Sequence, residues 1–100
     1  MFAIENLVNV APERTIPSFY RTSAGAEIDL LLEIPGHGLW AIDIKRSPSA
    51  RPEKGFYIAC DDLRPTRRFA LNAGEERYRI THNTEVIGLR ELARELAALG

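Results

Sequence analysis

Between Glu27 and Lys45 the chain alternates with a period of two on both sides of a Pro35-Gly36-His37-Gly38 turn, and few folds accommodate that pattern. Ile28, Leu30, Leu32 and Ile34 alternate with Glu27, Asp29, Leu31 and Glu33, and beyond the turn Trp40, Ile42 and Ile44 alternate with Leu39, Ala41, Asp43 and Lys45. Successive strand side chains leave opposite faces, so the two runs predict an antiparallel hairpin. One face is wholly apolar: Ile28, Leu30, Leu32, Ile34, Trp40, Ile42 and Ile44. The other carries every charge of the pair.

The apolar face needs cover, and the rest of the chain offers it. Ile4, Leu7, Val8 and Ala11 recur at i, i+3, i+4 and i+7, predicting an amphipathic helix over residues 2–11 that Pro12 stops. Ser18 to Thr22 reads as a short strand. Pro52 suits a first helical position, and Phe56, Ala59, Cys60 and Leu63 form the stripe of a second helix, weakened by Gly55 and closed by Pro65. Arg67 to Leu71 is a further strand. Tyr78 with Ile80, and Val86 with Ile87, are shorter strands around an Asn83-Thr84 turn. Leu89, Leu92, Ala93, Leu96 and Leu99 form the stripe of a final helix, with Arg90, Glu91, Arg94 and Glu95 opposite. The expected fold is a mixed α/β (α+β) sandwich of order α-β-β-β-α-β, then short strands and a C-terminal helix. A chain of 100 residues without repeats or linkers fits a single domain over 1–100.

Composition narrows the chemistry. One cysteine, Cys60, excludes a disulfide framework and a cysteine-ligated zinc site, and His37 and His82 are too far apart for a histidine cluster. Cys60 sits on the apolar stripe of its helix, as a small core residue does. Ser47 and Ser49 have no histidine in a spacing that suggests a triad. No apolar run is long enough to span a bilayer, and the first residues lack a basic secretory start, so a cytoplasmic protein is expected. Net charge is −1, which excludes a broad basic footprint. Local basic stretches remain: Lys45, Arg46, Arg51 and Lys54, and then Arg64, Arg67 and Arg68. With eleven arginines to two lysines, the lysine at position 45 stands out. Lysine is a compact donor whose pKa can move.

On the charged face, Asp43 and Lys45 are two residues apart and leave the same side of their strand. Keeping the apolar faces together places Asp29 opposite either Asp43 or Lys45, so two carboxylates and an ammonium converge. Facing like charges cost up to roughly 1 kcal/mol unless compensated. Lys45 can compensate one carboxylate, whereas a divalent cation compensates both, with the Ile44 carbonyl as a further oxygen. The competing reading is a surface ion-pair ladder on a solvated face. Glu5, off the buried stripe of the first helix, adds a carboxylate if that helix lies near the charged face.

Asp29, thirteen residues, then Asp43-Ile44-Lys45 on a hairpin preceded by a helical glutamate resembles the PD-(D/E)XK nuclease superfamily. Phe2-Ala3-Ile4-Glu5-Asn6-Leu7-Val8, Phe19-Tyr20-Arg21-Thr22, Gly25-Ala26-Glu27-Ile28-Asp29 and Ile42-Asp43-Ile44-Lys45-Arg46-Ser47 are similar to the uncharacterised C-terminal domain of many prokaryotic AAA+ ATPases, itself restriction-endonuclease-like. The resemblance implies a restriction-endonuclease-like core with a central mixed sheet. It implies Glu5, Asp29, Asp43 and Lys45 as catalytic residues, with Asp29, Asp43 and Ile44 holding Mg²⁺ or Mn²⁺. Arg21 and Arg46 are candidate phosphate contacts, and Arg21 serves equally as a salt bridge to Glu27. The chain has no Gly-x-x-x-x-Gly-Lys-(Ser/Thr) loop, so the ATPase that usually precedes such domains is expected to be missing from it. Residue 43 is aspartate where the motif usually has glutamate, and Ile28 stands where a proline often precedes the first aspartate.

The expected function is metal-dependent hydrolysis of phosphodiester bonds in DNA. The alternative is a noncatalytic nucleic-acid or protein interaction module of an AAA+ ATPase system that keeps the nuclease fold. A homodimer is a further expectation, because a domain of this size is only marginally able to bury its own core.

Overall fold

The computed structural model of the chain describes residues 2–45, 51–81 and 83–100. Its elements are α1 (Phe2–Val10), β1 (Ile16–Arg21), β2 (Glu27–Ile34), β3 (Gly38–Ile44), α2 (Lys54–Leu63), β4 (Arg67–Asn72), β5 (Tyr78–Ile80), β6 (Thr84–Gly88) and α3 (Leu89–Leu99). The expected order holds throughout. The six strands form one mixed sheet in the order β1-β2-β3-β4-β6-β5. The first three strands are an antiparallel meander, β4 is parallel to β3 and to β6, and β5 folds back antiparallel to β6. The fold is α+β with a C-terminal helix.

Helices cover both faces. Leu30, Leu32, Ile34, Trp40, Ile42, Phe69, Leu71 and Ile87 form a core with Leu7 of α1 and with Leu92 and Leu96 of α3. On the opposite face Ala26, Ile28, Leu31 and Ala41 meet Phe56, Ala59 and Cys60 of α2. The hairpin face expected to carry charge is therefore the floor of a second apolar core.

Ile28 lies in this second core, not with Leu30, Leu32 and Ile34 as simple alternation predicts. Ser18 pairs with Leu31 and Tyr20 with Ile28, so β2 advances three residues while β1 advances two. The extra residue is a β-bulge, which turns the side chains beyond it to the other face.

Smaller corrections concern prolines and a glycine. β1 starts at Ile16 and includes Pro17, which is tolerated because β1 is an edge strand. α2 has Glu53 as its N-cap, so Pro52 stands ahead of the cap and not at the first helical position. Gly55 stands in the first turn of α2, where a Cβ would lie 2.3 Å from the carbonyl oxygen of Gly25. The residue that weakens the helix propensity is the one that lets α2 close on the β1–β2 turn. Among the described residues no helix is long and apolar enough to cross a membrane.

Candidate functional site

The β2–β3 ladder ends at Leu30↔Ile42, one step before Asp29 and Asp43 would face each other. Of the two registers open to sequence reading, this is the one that sets carboxylate against carboxylate. The strands part there. Continued pairing would set Ile44 against Ile28; instead the Ile44 N–H donates to Asp29 Oδ2 at 2.8 Å. The Asp29 side chain thus replaces a strand carbonyl, which satisfies a backbone donor and fixes the carboxylate's orientation. On the far side of β3 the Lys45 N–H donates to the Leu71 carbonyl of β4 at 2.7 Å, so the segment carrying Asp43 is held from both flanks.

Asp43 is buried, 6 % exposed, and shares the α2 side of β3 with Ala41. Lys45 Nζ stands 3.4 Å from Asp43 Oδ2 and forms an ion pair. The pair lacks hydrogen-bond alignment, and Oδ2 is buried without a hydrogen-bond partner. Burial pushes the Asp43 carboxyl up to about 6; the Lys45 ammonium opposes the shift and the Asp29 carboxylate adds to it. A buried carboxylate in that state favours either a proton or a cation. Cys60, across the α2 interface, is raised to about 11 chiefly by burial and is not a nucleophile at neutral pH.

The other expected site residues are placed differently. Glu5 is exposed on α1, a helix whose apolar side packs on the face opposite α2. Among the described residues no three of Asp, Glu, His and Cys gather as a metal-binding group, so Glu5 does not join Asp29 and Asp43 in one. Arg21 forms the salt bridge to Glu27, 3.0 Å apart across β1–β2, and its guanidinium lies over the Phe19 ring. Arg46 lies outside the described residues.

Arg67, part of the basic stretch Arg64, Arg67 and Arg68, has a structural role. It ion-pairs with Glu95 and, at 2.9 Å, with Glu85, and its guanidinium lies 4.9 Å and 4.7 Å from the Trp40 and Phe69 ring centroids. Arg77 joins the same network through Glu85, Glu91 and Glu95.

Sequence reading missed a groove. Clefts of about 270, 780 and 570 Å³ lie at the end of β4 and along α1 and α3, and Leu89 lines all three. Lys45 lines the smallest, and Arg90 and Arg94 line the other two. Only the i, i+4 spacing of those arginines was visible in sequence, on a face that reads as ordinary solvated surface. The C-terminal ends of parallel strands β3, β4 and β6 gather here, where α/β sheets commonly form ligand crevices.

This arrangement of strands and helices is accompanied by a family match: the model of a domain of unknown function (DUF4143) matches residues 1–92, and the chain belongs to that family. No curated protein and no solved structure matches the chain.

Proposed function

We propose that this chain is a nuclease-like domain of the PD-(D/E)XK superfamily that hydrolyses phosphodiester bonds in DNA with Mg²⁺ or Mn²⁺. One observation carries the reading: Asp29 and Asp43 meet beside Lys45 where β2 leaves β3, with an Asp43 oxygen buried and without a hydrogen bond. The element order supports it, since a helix, an antiparallel meander, a crossover helix and a parallel strand make up the core that the resemblance implies.

The donor set fits a hard cation. Mg²⁺ is typically held by one or two carboxylates, with water and phosphate oxygens completing the shell. Asp29 and Asp43 would hold it, with the Ile44 carbonyl as a third protein oxygen. Such a cation supplies Lewis-acid polarisation of a phosphoryl oxygen. The Ile44 N–H keeps the Asp29 carboxylate oriented, and Asp43 beside it is held at 6 % exposure. Lys45, tethered by Asp43 and lining the groove, presents its ammonium to the charge that develops on phosphate.

Nicking of supercoiled plasmid in Mg²⁺ tests this. Asp43→Asn and Lys45→Met should each lower the rate on the order of 100-fold or more. Equal nicking by wild type and variants contradicts the reading.

A second reading, a noncatalytic interaction module of an AAA+ ATPase system, is favoured by the two-carboxylate site, which lacks Glu5. A wild type that binds Mg²⁺ and an AAA+ ATPase but leaves plasmid intact would select it.

A further inference from the structure

The groove that starts at Lys45 is mixed in character. Its floor is apolar, from Leu71 and Leu89, and Phe2 stands on its rim, 73 % exposed. Its far end carries Arg90 and Arg94, both exposed, and among the described residues neither has an ion-pair partner. The acidic residues of the groove are Glu75 and Glu91, and Glu91 is neutralised by Arg77 at 3.1 Å. The neighbouring Glu85 and Glu95 are likewise taken up by Arg67 and Arg77. The network thus takes up Glu85, Glu91 and Glu95 and leaves Arg90 and Arg94 facing the cleft, with Glu75 as the carboxylate there that it does not reach.

We infer that this groove binds a single strand of DNA leading to or from the phosphate at Lys45, with Arg90 and Arg94 on successive phosphates and the Phe2 ring against a base. The inference rests on the phosphodiester reading of the Asp29–Asp43–Lys45 site and adds the form of the substrate. A duplex presents phosphate and sugar outward and keeps its bases stacked, so it has little use for an apolar floor. A single strand offers both phosphates and open base faces, and grooves that hold it combine cations with aromatic platforms. Lys45 is in the ion pair with Asp43 and also lines the cleft at the end of β4, so centre and groove share this residue at the end of the sheet, with Asp43 on the α2 face and α1 and α3 on the other.

The test is binding of a labelled single-stranded oligonucleotide of about twelve nucleotides in EDTA across a salt series, where cleavage cannot interfere. The wild type should prefer this probe to a duplex of the same sequence. Arg90→Ala/Arg94→Ala should weaken binding about tenfold at low salt and reduce the log–log salt slope by about 1.4, the value for two phosphate contacts on a single strand. Arg90→Lys/Arg94→Lys should restore most of the affinity, and Phe2→Ala should weaken binding with an unchanged slope. Circular dichroism confirms that the variants fold. Unchanged binding by the double alanine variant, preference for duplex, or equal binding of a poly-glutamate peptide overturns the inference. The metal site is read separately, since Mg²⁺-dependent melting in the same variants should match wild type. A groove failure with the metal response intact sinks this inference alone, and loss of the metal response in wild type sinks the reading beneath it.

Discussion

Asp43 gives up hydration under α2 and receives no hydrogen bond at Oδ2 in return. Its folded-state carboxyl, raised to about 6, holds a proton more tightly than it does in the unfolded chain. Between the ordinary aspartate value near 3.9 and that raised value, the folded state binds more protons, so stability falls as pH rises through this window and levels off above it. In chelator, Asp43→Asn should remove this slope and raise stability at pH 7 by about 1–3 kcal/mol. Urea melts at pH 4.5 and pH 7 check it; a wild-type midpoint that rises over that interval by more than that of the variant contradicts it. Asp29 separates charge from hydrogen bonding. Asp29→Asn keeps an acceptor for the Ile44 N–H and removes the charge facing Asp43, so it should be as stable as wild type in chelator or more so. Asp29→Ala abandons the buried donor and should cost about 1–3 kcal/mol. Comparing denaturant midpoints of the two variants checks both statements, and equal midpoints contradict them.

At the scale of elements, Asp29, Asp43 and Lys45 come together because β2 bulges and then leaves β3. Period-two alternation located both strands, the turn and the convergence of Asp29, Asp43 and Lys45, because the pattern is local. The same pattern mislaid Ile28, since a bulge is decided by how β1 and β2 pair and leaves little trace in composition. Gly55 likewise reads in sequence only as a residue that weakens its helix, because its purpose, close approach to the Gly25 carbonyl, lies 30 residues away in sequence. Gly55→Ala places a methyl group against that backbone oxygen and should destabilise by about 1–3 kcal/mol, in spite of alanine's better helix propensity. A lower urea midpoint with an unchanged slope is the expected result. A stabilised variant would show that α2 does not sit so close to the β1–β2 turn.

For the whole molecule, the three helical stripes were legible because each buries its face on the sheet. Which face each helix takes was not legible, and that decides the fate of Glu5, whose helix lies across the sheet from α2. Nor could the sequence distribute the arginines. Arg67 sits under Trp40 and Phe69 with Glu85 and Glu95 as partners, while Arg90 and Arg94 are left to the groove. Arg67→Ala should therefore destabilise by about 1–3 kcal/mol through lost packing and two half-buried carboxylates left short of a partner, and Arg90→Ala by less than about 0.5 kcal/mol. Thermal melts of the two variants check the contrast, and equal losses contradict it.

The most direct test of the site is the melting temperature of wild type, Asp29→Asn and Asp43→Asn with EDTA and with Mg²⁺ or Mn²⁺. At tenfold excess over its dissociation constant, a cation bound only by the folded state stabilises by about 1.4 kcal/mol, a shift of roughly 6–11 °C for a domain of this size. The expected result is a shift of that order in wild type and none in either variant. The same shift in all three proteins, or none in wild type at millimolar cation, contradicts a metal centre at Asp29 and Asp43.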